Sequence, residues 1–159
     1  KEGGSNRRKA VLDLQRRHLN IANSRKDYLN KLVSYFITNY DVIALEDLRI
    51  KGMVRNHHLS KSILDAGWGY LKTHLTSKAV EAGREVVLVN PTFTSKTCCL
   101  CGAVFPELSL ADRWVDCPCG LSMDRDVNAA LNILTRAGRA LWDKSTATRL
   151  RLSQEASLL

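Results

Sequence analysis

The chain has 159 residues, 45% of them hydrophobic and 25% charged, which is the balance of an ordinary globular domain with enough apolar side chains for a core. No apolar run approaches the ~20 residues that a membrane-spanning helix needs, so the sequence predicts no membrane segment. The opening KEGGSNRRKA contains neither a methionine nor a signal-peptide hydrophobic region. We therefore expect an interior start, with further sequence upstream.

The net charge of +8 is concentrated near the N-terminus. Residues 1–40 contain nine Lys and Arg side chains against three acidic ones. A basic segment ahead of a nearly neutral body suggests a polyanionic partner, and nucleic acid is the first candidate. On charge alone the alternative stays open that this is a solvated helix face that happens to be basic.

Helices and strands alternate along the predicted chain. The order is helix, strand, polar loop, helix, strand, cysteine-rich region and helix, over residues 5–38, 42–46, 49–59, 60–82, 84–90, 95–121 and 123–137. Both strands are continuous apolar runs, as in strands that are covered on two faces. Such an order favours parallel strand pairing in an α/β layer. Two strands make a small sheet, so we expect more strands upstream.

All five cysteines lie within one short stretch of the chain. Cys98 and Cys101 form one pair, and Cys117 and Cys119 form a second pair after fifteen intervening residues. This spacing is close to that of a zinc ribbon, in which four thiolates hold one tetrahedral ion. Cys99 is an alternative ligand in the first pair. Four thiolates leave no open coordination position, so we expect the zinc to be structural.

Two acidic residues occupy positions that suit catalysis. Glu46 closes the first predicted strand, and Asp126 lies near the start of the last predicted helix. Ligands of open α/β sheets gather beyond the carboxyl ends of the strands, where such carboxylates bind Mg²⁺ or Mn²⁺ for phosphodiester cleavage. The alternatives are ordinary: Asp caps helices, and an acid at a strand end is often merely solvated.

Four stretches resemble a known family, in order and at the right spacing. They are YDVIALEDLRIKGMVRN, SILDAGWG, NPTFTSKTCCLCG and CPCGLSMDRDVNAALNI. Together they closely resemble the C-terminal half of the OrfB/TnpB proteins of bacterial insertion sequences, which are named as transposases and are related to the type V CRISPR effector nucleases. The resemblance implies an α/β fold, a partial RNase H-like (RuvC) domain with an inserted four-cysteine zinc ribbon. The implied parts are a nuclease core, the ribbon, the last core helix and a tail, over residues 1–94, 95–121, 122–138 and 139–159.

The resemblance also assigns roles to individual residues. Glu46 and Asp126 correspond to the second and third catalytic acids of the family, with support from Asp124, Arg125 and Asn128. The family's first catalytic Asp has no counterpart in this chain, which agrees with the expectation of upstream strands. The zinc ligands would be Cys98, Cys101, Cys117 and Cys119. Basic side chains expected near nucleic acid are Arg7, Arg8, Arg16, Arg17, Lys51 and Arg55.

The function implied by the resemblance is that of a transposon-encoded RNA-guided DNA endonuclease. Its cofactors would be structural Zn²⁺ and catalytic Mg²⁺ or Mn²⁺, and its partners would be DNA and, in the full-length protein, a guide RNA. It would act in the bacterial or archaeal cytoplasm, in association with the nucleoid. Without the first acid we expect this chain alone to be inactive. Two alternatives are a non-catalytic zinc-ribbon nucleic-acid-binding protein and a strand-transfer transposase that uses the same acids.

Overall fold

The computed structural model describes residues 3–109 and 111–138, so the predicted tail, 139–159, lies outside the described residues. The chain divides into two units. The first contains residues Lys1–Ile43 and Arg49–Val86, and the second contains Ala44–Leu48 and Val87–Leu159. Within the described ranges, no helix combines the length and the apolar character that crossing a membrane requires.

The described elements follow the predicted order with three differences. The helices are α1 (Ser5–Asn39), α2 (Ile50–Met53), α3 (Ser60–Ala66), α4 (Trp68–Glu81) and α5 (Arg125–Arg136). The strands are β1 (Val42–Glu46), β2 (Glu85–Val89), β3 (Trp114–Asp116) and β4 (Ser122–Asp124), and one turn of 3₁₀ helix covers Thr94–Lys96. The predicted loop over 49–59 contains a short helix, the predicted helix over 60–82 is two helices, and the last helix begins two residues later than expected because β4 precedes it.

The core of the first unit lies between α1 and α4. Leu29 and Val33 of α1 are buried there with Leu75 and Ala79 of α4. The N-terminal half of α1 is exposed throughout, including three apolar residues at helical spacing along the stripe that contains Leu29, namely Val11, Leu14 and Ile21. Within the described part of the chain, therefore, only the C-terminal half of that stripe is packed.

β1 and β2 form a two-stranded sheet. At the start of the pair the amide of Glu85 donates to the carbonyl of Asp41 at 2.9 Å, and at its end the amide of Asp47 donates to the carbonyl of Val89 at 2.8 Å. The first bond joins the start of β1 to the start of β2, and the second joins the end of β1 to the end of β2. The strands therefore run parallel, as the alternation of helices and strands predicted. Glu46 therefore lies at the carboxyl end of a parallel pair.

Gly67 separates α3 from α4. Its φ is +67°, in the left-handed region, and a Cβ built on it would lie 2.7 Å from Cδ1 of Leu29. Glycine adopts this conformation readily, and other residues do so only at a cost. The sequence pattern predicted an unbroken helix here because the residues on both sides of Gly67 favour helix. The close approach to α1 is a tertiary contact that the local pattern does not contain.

We expect Gly67→Ala to destabilise the first unit by about 1–2 kcal/mol from the backbone conformation, with a further loss from the contact with Leu29. Gly69→Ala is the matched control, because a Cβ at Gly69 meets nothing within 4 Å and its φ is not positive. That change should be neutral or stabilising by about 0.4–1 kcal/mol. Urea unfolding of both variants measures the difference, and equal midpoints would contradict the assigned role of Gly67.

The core of the second unit joins the cysteine region to α5. β3 and β4 pair antiparallel, with Val115 opposite Met123. The buried cluster consists of Cys98, Val115, Cys117, Leu121, Met123 and Leu131. Since Leu131 belongs to α5, the last helix packs on the same core as the cysteines. The ribbon and the helix are therefore parts of one folded structure.

Candidate functional site

The four predicted zinc ligands lie together. The sulfur atoms of Cys98, Cys101, Cys117 and Cys119 are all within 4.8 Å of one another. Sγ of Cys98 is 3.7 Å from Sγ of Cys119, and Sγ of Cys101 is 3.5 Å from Sγ of Cys117. Four sulfurs at 2.3 Å around a tetrahedral zinc ion would be about 3.8 Å apart. The cluster can hold a metal ion, and Cys99 is not a member of it.

Each cysteine pair lies on a tight turn. In the first, the amide of Gly102 donates to the carbonyl of Cys98 at 2.9 Å, and in the second, the amide of Gly120 donates to the carbonyl of Cys117 at 2.9 Å. Both glycines have positive φ, 76° and 94°. The second pair, although one residue shorter than the first, thus forms a comparable turn and presents both of its sulfurs to the cluster.

The thiols of the cluster differ in acidity. Burial raises the pKa of Cys98 to about 12 and also raises the pKa of Cys117. A hydrogen bond from the backbone of Ala103 lowers the pKa of the exposed Cys101 to about 7. Metals bind the thiolate form, so near neutral pH Cys101 offers a thiolate more readily than Cys98 or Cys117 does.

Asp124 and Asp126 have different surroundings at the start of α5. Oδ1 of Asp124 accepts hydrogen bonds from the amides of Asp126 at 2.8 Å and Val127 at 3.1 Å, which makes Asp124 the N-cap. The side chain of Asp126 is 75% exposed. The carboxylate of Asp124 thus holds the helix, and the carboxylate of Asp126 projects toward solvent from the first turn.

Arg125 is fixed to the segment that precedes β3. Its amide donates to the carbonyl of Arg113 at 2.8 Å, and its Nη1 donates to the carbonyl of Ser109 at 2.9 Å. Nε of Arg125 is 3.8 Å from Oδ1 of Asp126. Because the side chain is mostly buried, Arg125 contributes mainly to anchoring the first residue of α5.

Glu46 is half-buried at the end of β1 and is bound by a residue that sequence reasoning missed. The hydroxyl of Thr94 donates to Oε1 of Glu46 at 2.5 Å. Thr94 lies in the 3₁₀ turn after β2 and is 4% exposed. Both predicted catalytic acids belong to the second unit.

One face of α5 is anchored to the segment 90–99. Nδ2 of Asn128 donates to the carbonyl of Thr97 at 2.8 Å, and Oδ1 of the same side chain accepts from the amide of Cys99 at 3.0 Å. Asn132 donates to the carbonyls of Thr94 at 2.9 Å and Thr97 at 2.6 Å. Arg136 donates to the carbonyls of Asn90 and Thr92, both at 2.7 Å. The spacing of four residues between these three donors places them on one side of the helix.

Asn128, which was expected to support catalysis, is here a buried link to the segment 90–99, while Asn132 and Arg136 were not predicted. A polar side chain every four residues on an otherwise amphipathic helix was the available signal. It is a weak one, because such residues are usually solvated. Asn128 and Asn132 are instead 0% and 8% exposed.

The predicted nucleic-acid contacts are all on the surface. Exposed side chains are those of Arg7, Arg8, Arg16 and Arg17 on α1, Lys51 on α2 and Arg55 after it. Nε of Arg17 pairs with Asp13 at 2.9 Å, an exposed ion pair that neutralises part of the basic face of α1.

Comparison with known proteins finds two family models along this chain. The OrfB_IS605 model, described as "Probable transposase", matches residues 1–57. The model of the Cas12f1-like TNB domain matches residues 68–133. The chain is a relative of the OrfB/TnpB proteins. The resemblance carried by the four sequence stretches is thus confirmed.

Individual relatives of the OrfB/TnpB type agree with the models. A Streptomyces pristinaespiralis protein is 39% identical over 84% of this chain, and an Escherichia coli K12 protein, InsQ, is 34% identical over 86% of it. Both are named "Putative RNA-guided DNA endonuclease". This chain covers 33% and 38% of their lengths, so it spans about a third of these relatives.

A solved structure gives a similar fold. The cryo-EM structure of a Cas12f1–sgRNA–target DNA complex matches with a TM-score of 0.55 at 22% identity, over 80% of this chain and 38% of that one. At this identity the match supports the arrangement of the helices and strands. It does not by itself assign an activity to this chain.

Proposed function

We propose that this chain is the nuclease part of a TnpB-like RNA-guided DNA endonuclease, with a partial RuvC-like fold. The observation that carries the proposal is the placement of Glu46 and Asp126 in one unit, where Thr94 and Asn132 connect the first acid to the helix that bears the second. The sequence relatives named as RNA-guided DNA endonucleases add independent support.

The donor sets fit two different kinds of metal. Four clustered thiolates suit zinc, with the sulfur separations of tetrahedral coordination. The carboxylates of Glu46 and Asp126 are hard oxygen ligands of the kind that Mg²⁺ and Mn²⁺ prefer. When bound, such ions supply an activated water and stabilise the charge of the leaving oxygen in phosphodiester hydrolysis.

In this proposal the residues of the chain divide into ligands and supports. Glu46 and Asp126 hold the catalytic ions, Asp124 and Asn128 fix the start of α5, and the cysteines hold the ribbon. The exposed basic side chains of α1 and α2 bind nucleic-acid phosphates without reading their sequence. DNA and a guide RNA are the partners.

A non-catalytic binding protein is the second candidate. One observation favours it: within residues 3–109 and 111–138, the clustered groups able to hold a metal are the four cysteines, and no three carboxylates come together. Under the leading proposal one more carboxylate, that of the family's first catalytic Asp, comes from outside this chain, as the family resemblance implies. Under the alternative there is none.

Cleavage assays separate the two candidates. We expect the complete protein, assembled with its guide RNA, to cut guide-matched DNA when Mg²⁺ is added and to leave unmatched DNA intact. The 159-residue chain alone should bind zinc but should not cut, because it lacks a counterpart of the family's first catalytic Asp. Binding of matched DNA by the complete protein without cleavage would favour the binding protein. Cleavage by the chain alone, in a preparation free of contaminating nucleases, would contradict the inference that it lacks an essential acid.

A further inference from the structure

We propose that Thr94 is a positioning residue for Glu46, and that Asn132 of α5 holds Thr94 in place for this purpose. The inference rests on the proposed function, in which Glu46 binds a catalytic divalent cation. It adds a pair of residues that links α5, the helix that carries Asp126, to the side chain of Glu46. None of the sequence patterns above assigns a role to either residue.

The hydroxyl of Thr94 has one proton and two acceptors within reach. Oε1 of Glu46 is 2.5 Å away, and the carbonyl oxygen of Pro91 is 3.2 Å away. A hydroxyl donates one hydrogen bond at a time, and a charged carboxylate is the stronger acceptor. The shorter contact therefore takes the proton. A carboxylate bound through one oxygen has a restricted rotation, which fixes the direction in which its other oxygen points.

Thr94 is itself held by α5. Its carbonyl accepts a hydrogen bond from Asn132 at 2.9 Å, and the same amide group reaches the carbonyl of Thr97 at 2.6 Å. Because Asn132 is 8% exposed, water does not readily replace these bonds. The contacts run from the acid-bearing helix to the 3₁₀ turn and then to Glu46. A shift of α5 would consequently be passed on to the carboxylate.

The backbone before Thr94 is strained. Phe93 has a φ of 59° and, among the described residues, is the non-glycine residue with positive φ. The left-handed region is unfavourable for an aromatic residue, and such conformations persist where the surroundings impose them. Here the ring of Phe93 is exposed while the next side chain is buried. The strained residue thus turns the chain so that Thr94 points inward to Glu46.

Three substitutions test the proposal in the complete protein. Thr94→Val keeps the shape and removes the hydroxyl, Thr94→Ser keeps the hydroxyl, and Thr135→Val is the matched control. Thr135 is exposed, and its hydroxyl donates to the carbonyl of Leu131 within α5 at 2.9 Å. Zinc content and the melting temperature of each variant show whether the fold is retained.

Two readouts are needed, of which one is independent of cleavage. The first is the cleavage rate at saturating guide-matched DNA, with the DNA affinity measured separately. The second is Mn²⁺ binding to the zinc-loaded protein before guide RNA is added, because RNA itself binds Mn²⁺. The electron paramagnetic resonance signal of free Mn²⁺ reports that binding.

We expect Thr94→Val to lower the cleavage rate and the Mn²⁺ affinity by roughly 10–100-fold each, with DNA affinity unchanged, as for other residues that orient metal ligands. Thr94→Ser should restore both to within a few-fold, and Thr135→Val should match the wild type. Wild-type behaviour of Thr94→Val would overturn the proposal. So would an equal defect in Thr94→Ser, because the effect would then come from packing rather than from the hydroxyl.

The same measurements distinguish failure of this inference from failure of the proposed function. If the wild type binds Mn²⁺ but does not cut DNA, and Thr94→Val binds Mn²⁺ more weakly, the positioning role stands and the nuclease assignment fails. If the wild type cuts and Thr94→Val cuts equally well, the nuclease assignment stands and the positioning role fails. A wild type that neither binds Mn²⁺ nor cuts guide-matched DNA overturns both.

Discussion

Glu46→Gln and Asp126→Asn are each expected to lower cleavage of guide-matched DNA by the complete protein by roughly 10³-fold or more. Bound metal ions supply several kcal/mol of transition-state stabilisation, and each 1.36 kcal/mol corresponds to a tenfold change in rate. Both substitutions preserve the size of the side chain and remove its charge. Zinc content and DNA binding should therefore be unchanged while cleavage is lost.

Asp124→Asn provides the contrast with Asp126→Asn. It makes the same chemical change two residues earlier, in the carboxylate that caps α5 through the amides of Asp126 and Val127. Asn is about as good an N-cap as Asp, so the helix should remain stable. We expect this variant to retain most of the cleavage. A larger loss in Asp124→Asn than in Asp126→Asn would show that the catalytic acid had been assigned to the wrong residue.

Loss of the ribbon metal is expected to unfold the second unit. Cys98 and Cys117 are members both of the four-sulfur cluster and of the buried core that contains Leu131 of α5. Structural zinc sites contribute about 10–16 kcal/mol to folding in small zinc-dependent peptides, more than the net stability of most domains. Chelation, or Cys117→Ser, should therefore release α5 and abolish cleavage, although neither touches an acid.

Cys99→Ser is the matched control for the ribbon. Cys99 neighbours Cys98, but its own sulfur is not part of the four-sulfur cluster. Its backbone amide donates to Oδ1 of Asn128 on α5, and serine retains this hydrogen bond. We expect one zinc ion per chain and a normal melting curve for Cys99→Ser, and neither for Cys117→Ser. Metal analysis and circular dichroism measure both. Equal zinc loss in the two variants would show that Cys99 is a ligand after all.

Local sequence patterns account for most of the elements. The sequence pattern predicted α1 to within two residues of its ends, and the continuous apolar runs predicted β1 and β2. The cysteine spacing predicted the four-sulfur cluster. These features succeed because periodicity and ligand spacing are properties of neighbouring residues. The same patterns did not show that only the C-terminal half of α1 is packed in the described structure.

Long-range polar contacts account for what the sequence did not show. Thr94 and Glu46 are 48 positions apart, and Asn132 and Thr94 are 38 positions apart. Neither residue type indicates burial, since threonine and asparagine are usually exposed. The break at Gly67 has a similar origin, because it depends on the approach of Leu29 from another helix. Such contacts become visible only once the elements are packed.

The direct passage from β4 into α5 determines where the ribbon can change in length. β4 is paired with β3 residue by residue, and the amide of Arg125 continues that pairing to the carbonyl of Arg113. A single residue inserted between Gly120 and Asp124 would turn every following strand side chain to the opposite face and displace Asp126. Pro106 and Glu107 are exposed and lie on the other side of β3, where added residues would only lengthen a loop. Evolution and protein engineering can thus enlarge this domain between the first cysteine pair and β3, whereas the distance from the second pair to the acid must stay constant.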